Sequence, residues 1–162
     1  MEKAKGIISI SLRLFTICFV SALILATVNF LTKDKIAEND RKAFEEGCFA
    51  VMPMATSFEK IEGSDMAIAK NSEGEVGVAV KVSVTGYSKG LNVMVGIDEN
   101  LEIKGIKVLE HSETPGIGAE VVKVANEGKE YAVTGATKTV NGIDTAKEEA
   151  LKIAKEYFAE RG

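Results

Sequence analysis

Histidine is nearly absent from this chain: His111 is the only one in 162 residues. A histidine-based metal cluster and a Ser/His/Asp triad each need more than that, so neither can be built here. Cysteine is almost as scarce, with two residues. Cys18 lies inside an apolar run and Cys48 well beyond it, so the two are not expected to pair, and no CxxC metal or redox motif occurs. A GxGxxG fingerprint and a P-loop are also missing, which argues against dinucleotide binding or nucleotide hydrolysis on this chain. No internal repeat or low-complexity tract is present.

Charge is missing from one long stretch. Leu14 to Leu31 is 18 residues without a charged side chain, and about 17–25 apolar residues suffice for a helix to cross a bilayer. Ile7 to Leu12 extend the run, interrupted by Arg13. An arginine at a bilayer centre costs roughly 2.5–3.5 kcal/mol, but one turn from the end its stem can carry the guanidinium to the headgroups. The competing reading is a cleaved signal peptide with Lys3, Lys5 and Arg13 as its basic region. No small-x-small cleavage site follows, so an uncleaved anchor is expected. Basic residues flank both ends of the run, with Lys33, Lys35, Arg41 and Lys42 on the far side, so the positive-inside rule is nearly silent on orientation.

Residues 32–162 carry 17 basic against 23 acidic side chains, a net of −6, which disfavours a nucleic-acid partner. Their 131 residues suffice for one domain and not for two. Thr32 to Glu46 reads as a continuing or reoriented helix with Gly47 as its stop, and residues 48–57, holding Pro53, as an irregular apolar connection docked on the core. Met52 and Met54 near Pro53 are more often core fillers than ligands, and Cys48 is expected as a buried thiol or an interface residue. From Phe58 the apolar period changes to two. Phe58–Glu62, Met66–Lys70, Val76–Val84, Leu91–Ile97 and Leu101–Leu109 are strand candidates joined by short turns, hence an antiparallel meander. Ala119 to Ala125 fits either a helix or a strand. Asn141 to Ala159 has a helical apolar stripe, with Asn141 as expected N-cap and Asp144 in the first turn.

The fold class is therefore α+β: an N-terminal transmembrane helix, then one domain with a curved antiparallel β-sheet and packed helices. The expected organisation is an anchor over 1–31, a helical stalk and connection over 32–57, and the sheet domain over 58–162.

Two short segments carry chemistry. Glu113-Thr114-Pro115-Gly116-Ile117-Gly118 is a loop in which proline fixes φ and the glycines let a ligand approach the backbone. Thr134-Gly135-Ala136-Thr137-Lys138-Thr139 is a hydroxyl-rich turn opening into the last helix. Free N–H groups and the positive end of the helix dipole make such a turn a phosphate site, to which Lys138 adds charge. Taken by itself, the same turn is also an ordinary cap with no ligand.

In this order, after a single apolar span, the two segments resemble the FMN-binding domain family. More narrowly they resemble the RnfG component of the Rnf electron-transport complex, with the NqrC component of the sodium-pumping NADH:quinone reductase as a close relative. The resemblance covers nearly the whole chain, from Thr32-Lys33-Asp34-Lys35-Ile36 to the last helix. It implies FMN bound covalently as a phosphoester on Thr137, placed there from FAD by a separate flavin transferase. Thr134, Gly135, Ala136, Lys138 and Thr139 would surround the phosphate, with Thr134 and Thr139 as hydroxyl donors. The 113–118 loop would pack on the isoalloxazine, Thr114 bonding a ring edge and Glu113 orienting the loop, while Tyr87 closes one side. Where the family's pattern has an aspartate, three residues before Thr134, this chain has Tyr131, next to Glu130.

The implied function is electron relay within a membrane-bound, ion-translocating ferredoxin:NAD+ oxidoreductase, by a chain without turnover of its own. Its partners would be the other membrane subunits, the flavin transferase and the lipid bilayer. The implied location is the cell (inner) membrane, single-pass, with the C-terminal domain extracytoplasmic. Two other readings stay open: an NqrC-like component of a sodium-translocating quinone reductase, and a non-redox, membrane-tethered binding module with an unmodified Thr137. No catalytic residue and no metal ligand is expected.

Overall fold

The computed structural model describes residues 2–131 and 133–161, with side chains from residue 10 onward. Met1, the head of the expected anchor, and the side chains of Lys3 and Lys5 lie outside the described residues. The first helix, α1, is Glu2–Val51, and the chain divides into two compact units within it, residues 1–41 and 42–162.

Among the described residues of the first unit, the apolar side chains of α1 cover every side of the helix and are exposed. Phe15, Leu25, Phe30 and Leu31 are each more than half exposed, and the apolar window is long enough to cross a membrane. A helix apolar all round needs lipid or protein around it. Three of its hydroxyls bond within the helix. Thr16, Ser21 and Thr27 donate to the carbonyls of Leu12, Ile17 and Leu23, one turn back, at 2.8, 2.9 and 2.8 Å, which removes the cost of placing them in hydrocarbon.

The second unit is a five-stranded antiparallel meander, β1 (Ser57–Lys60), β2 (Met66–Asn71), β3 (Gly74–Thr85), β4 (Lys89–Asp98) and β5 (Ile103–Glu110), with neighbours in sequence paired in space. Two helices follow, α2 (Gly118–Asn126) and α3 (Thr137–Arg161). The ambiguous segment after the 113–118 loop is thus helical: Val121, Val122 and Ala125 share its buried side.

Each sheet face has its own core. Val78, Val80, Val82 and Val84 of β3, with Leu91, Val93, Val95 and Ile97 of β4, pack under α2 and α3. The opposite face carries small residues, Ala67, Ala69 and Ala79, with Met94, and receives Phe44, Cys48, Val51 and Met52. The last helix lies close on its valines because its own contact residues are small: Ala146, Ala150 and Ala154 are all fully buried.

Three boundaries differ from the sequence expectation. Gly47 does not stop α1, which runs on to Val51. A Cβ there would stand 2.6 Å from Leu109 Cδ2, so the glycine serves close packing against β5. β5 starts at Ile103 rather than Leu101, because Leu101 adopts φ +62° in a turn whose N–H groups at Asn100 and Glu102 donate to Asp98 Oδ1 at 2.9 and 2.8 Å. Finally, α3 begins at Thr137, so Asn141 is inside the helix and not its cap, and Asp144 lies beyond the first turn. The helix can start early because the preceding turn is closed by Ala136 N–H on the Val133 carbonyl at 3.2 Å, and Val140 N–H already bonds the Ala136 carbonyl at 3.1 Å.

Candidate functional site

The two chemistry-bearing segments meet. Thr114 to Ile117 forms a tight turn with Ile117 N–H on the Thr114 carbonyl at 3.3 Å. Pro115 at its second position and Gly116 at its third, with φ +77°, are what a type II turn demands. Opposite it, Gly135 takes φ +87° and the chain enters α3 at Thr137. Between them lies a cavity of about 310 Å3 lined by Tyr87, by Glu113, Thr114, Ile117 and Gly118, and by Gly135, Ala136, Thr137, Lys138 and Thr139. Of the residues expected at the site, Pro115, Gly116 and Thr134 do not line it; the first two shape the turn.

The two threonines at the start of α3 have different surroundings. Thr137 is exposed, as are Thr134 and Lys138. Thr139 is 1% exposed and its hydroxyl donates to Glu113 Oε2 at 2.5 Å. That hydrogen bond takes the hydroxyl expected for a phosphate and gives it to a carboxylate. The N–H groups of Thr137, Lys138 and Thr139 precede the first intrahelical bond, so they point out of the helix end with the positive end of its dipole.

Glu113 is itself buried, 5% exposed. Beside Thr139 it accepts the Tyr87 N–H at 3.3 Å and the Ser88 N–H at 3.2 Å, and its own N–H donates to His111 Nδ1 at 3.3 Å. Gly86 and Ser88, between β3 and β4, are site residues that sequence reasoning passed over. A glycine break between two strands was visible; the backbone donor of Ser88 leaves no signature in residue type. At the mouth, Tyr87 and Ile117 are 65% and 43% exposed, and Lys138 Nζ stands 5.6 Å from the Tyr87 ring centre.

These residues fit a flavin phosphate. The cavity is at the small end of the roughly 300–1,000 Å3 range for small-molecule sites. A Cβ at Gly116 or Gly135 would meet nothing within 4 Å, so the approach to both turns is open. An aromatic and an aliphatic side chain at the rim suit a planar ring, and an exposed hydroxyl at a helix N-terminus suits phosphate.

A larger and shallower groove of about 540 Å3 runs between β5, the end of α2 and α3, past Tyr131, Asp144 and Lys147. It holds none of the expected site residues. Tyr131 is placed there, its hydroxyl donating to Asp144 Oδ1 at 2.8 Å with Lys147 Nζ 2.9 Å from the same oxygen. Partial burial opposes the charge on Asp144, but Lys147 and the Tyr131 hydroxyl outweigh it and hold the carboxyl below its usual range. Away from both cavities, Cys48 is fully buried in the domain core. Burial, then the nearby Glu45 carboxylate, push its thiol up to about 12. Among the described residues no group of three or more His, Cys, Asp or Glu side chains is placed to hold a metal ion.

Comparison with known proteins gives two family matches: residues 86–152 match the FMN-binding domain and residues 1–46 the RnfG N-terminal region. The first spans every residue lining the smaller cavity. Among curated relatives, the G subunit of the Na(+)-translocating ferredoxin:NAD(+) oxidoreductase complex of Acetobacterium woodii is 30% identical, over 76% of this chain and 69% of the relative. The G subunit of the ion-translocating oxidoreductase complex of Methanosarcina acetivorans is 27% identical over 88% and 83% of the two chains. The G subunit of the proton-translocating ferredoxin:NAD(+) oxidoreductase complex of Clostridium ljungdahlii is 24% identical over 77% and 68%.

Proposed function

The chain belongs to the family of G subunits of ion-translocating oxidoreductase complexes, and from that membership and the geometry around Thr137 we infer that it is the flavin-bearing electron carrier of such a complex. The observation that carries this reading is the exposed Thr137 hydroxyl at the start of α3, facing the Glu-Thr-Pro-Gly turn inside the matched FMN-binding region.

Thr137 is the attachment point. A flavin transferase would bring FAD: the threonine oxygen, losing its proton, forms the new bond to phosphorus, the pyrophosphate bond breaks, and AMP leaves. The N–H groups opening α3, the Lys138 ammonium and the Thr134 hydroxyl would hold the phosphate. Tyr87, Ile117 and Thr114 would bound the ring's space, and the Pro115-Gly116 turn would keep that wall rigid. FMN, when bound, supplies one-electron chemistry, and this chain's residues supply attachment, orientation and exclusion of water. The protein is membrane-bound, crosses once through the apolar part of α1, and carries the domain on the extracytoplasmic side, where covalent attachment prevents loss of the cofactor. The other subunits of the complex are its electron partners, and the names of its relatives favour the ferredoxin:NAD+ type over the quinone-reductase type.

The test is coexpression of the full chain with a flavin transferase, followed by denaturing electrophoresis viewed under ultraviolet light. A fluorescent wild-type band and a dark Thr137→Val band are expected. A dark wild-type band would instead favour the binding-module reading.

A further inference from the structure

We propose that Glu113 is the positioning residue of this site: its one buried carboxylate ties the Tyr87 loop to the first turn of α3 and thereby aims Thr137 into the cavity. The identity of the ligand rests on the function proposed above; the bracing geometry does not.

The carboxylate joins three segments distant in sequence. Oε1 accepts Ser88 N–H, while Oε2 accepts both Tyr87 N–H and the Thr139 hydroxyl. Those donors lie 25 and 26 residues before it and 26 after it. The surroundings are shaped to this group. A Cβ at Gly86 would stand 2.5 Å from Oε1, and one at Gly118 would stand 2.7 Å from Oε2. The effect on Thr137 follows from helix geometry. At about 100° per residue, Thr137 lies roughly 200° around α3 from Thr139. Holding Thr139 inward on Glu113 therefore leaves Thr137 on the exposed side of the helix start, where it lines the cavity. The same carboxylate holds the backbone of Tyr87, whose ring meets Lys138 at the cavity mouth.

Glutamine cannot replace this group, although it has the same shape. Its amide offers one oxygen where two are used, and its NH2 would face either Ser88 N–H or Tyr87 N–H, neither of which can accept. Thr139→Val removes only the α3 tie, and Thr139→Ser restores it.

The first arm of the test uses the full chain in detergent without flavin. In Glu113→Gln, amide hydrogen exchange at Tyr87 and Ser88 should speed up about tenfold or more, with β3 and β4 ladder amides unchanged. The second arm supplies transferase and FAD and follows the initial rate of flavin attachment. It should fall about tenfold in Glu113→Gln and in Thr139→Val, and by less in Thr139→Ser. A purely structural role would raise exchange throughout the domain and lower the melting temperature without this local pattern, and would overturn the proposal. So would unchanged loop exchange in Glu113→Gln, or a wild-type attachment rate in either folded variant. If Glu113→Gln does not fold, the Thr139 pair decides by the same criterion. If wild type takes no flavin at all, the proposed function fails, and the exchange arm still judges the brace.

Discussion

The two faces of the sheet pack by opposite means. Under α2 and α3 the sheet offers branched residues, Val78 to Val84 and Val93 to Ile97, and α3 answers mainly with alanines, Ala146, Ala150 and Ala154, beside Ile143. On the other face the sheet offers alanines and glycines, and the incoming segment answers with Phe44, Val51 and Met52. A Cβ at Gly96 would stand 2.5 Å from the Val51 carbonyl oxygen, so backbone lies almost on backbone there. The cavity that faces Thr137 opens at the rim of the first face, where α3 starts. One sheet thus supports two differently built cores through the alternation of large and small residues along β3 and β4.

The comparison can be broken most directly at Gly96. Gly96→Val pushes against the Val51 backbone, which has no side chain to rotate away, and should cost about 3 kcal/mol in a denaturant titration of the domain. On the valine face, Val80→Ala leaves a cavity that α3 can partly close, and about 2 kcal/mol is expected. Asp98 sharpens the picture at the turn between β4 and β5. Its burial opposes the charge, but Lys104 at 2.8 Å and the two turn N–H groups outweigh it and lower its pKa. Stability from this group is therefore present above the unfolded value of about 3.9 and lost as pH falls through the lower folded value. Asp98→Asn should flatten that part of the acid unfolding curve. Thr137→Val is exposed and should shift stability by less than about 0.5 kcal/mol while abolishing flavin attachment. Cys48 should show the smallest response of all: no alkylation of the native domain at pH 8, and full reaction after unfolding.

Much of this was legible beforehand, for local reasons. The Val78–Val84 alternation fixes β3, turn residues at 72–74 and the glycine break at 86–88 place its neighbours, and the turn at 98–100 places β5. The 113–118 and 134–139 segments supply nine of the ten residues lining the site cavity, with Tyr87 the tenth. What was not legible depends on tertiary contact. Gly47 looks like a helix stop until Leu109 is seen against it. Leu101 gives no sign of a left-handed backbone, because the Asp98 carboxylate that gathers the turn acts through main-chain donors. Asn141 resembles a cap, but the helix had already started on the Ala136 carbonyl. Thr139 looked like a phosphate donor, and only its partner 26 residues away shows that the hydroxyl is engaged.

The division of labour between the threonines is the central claim, and fragment-ion mapping tests it most directly. After flavin loading and trypsin, the peptide from Glu130 to Lys138 contains Thr134 and Thr137, and Thr139 falls in the next one. The mass of FMN less one water should sit on Thr137. Finding it on Thr134 or Thr139, or finding both peptides unmodified in a fluorescent protein, would contradict the account.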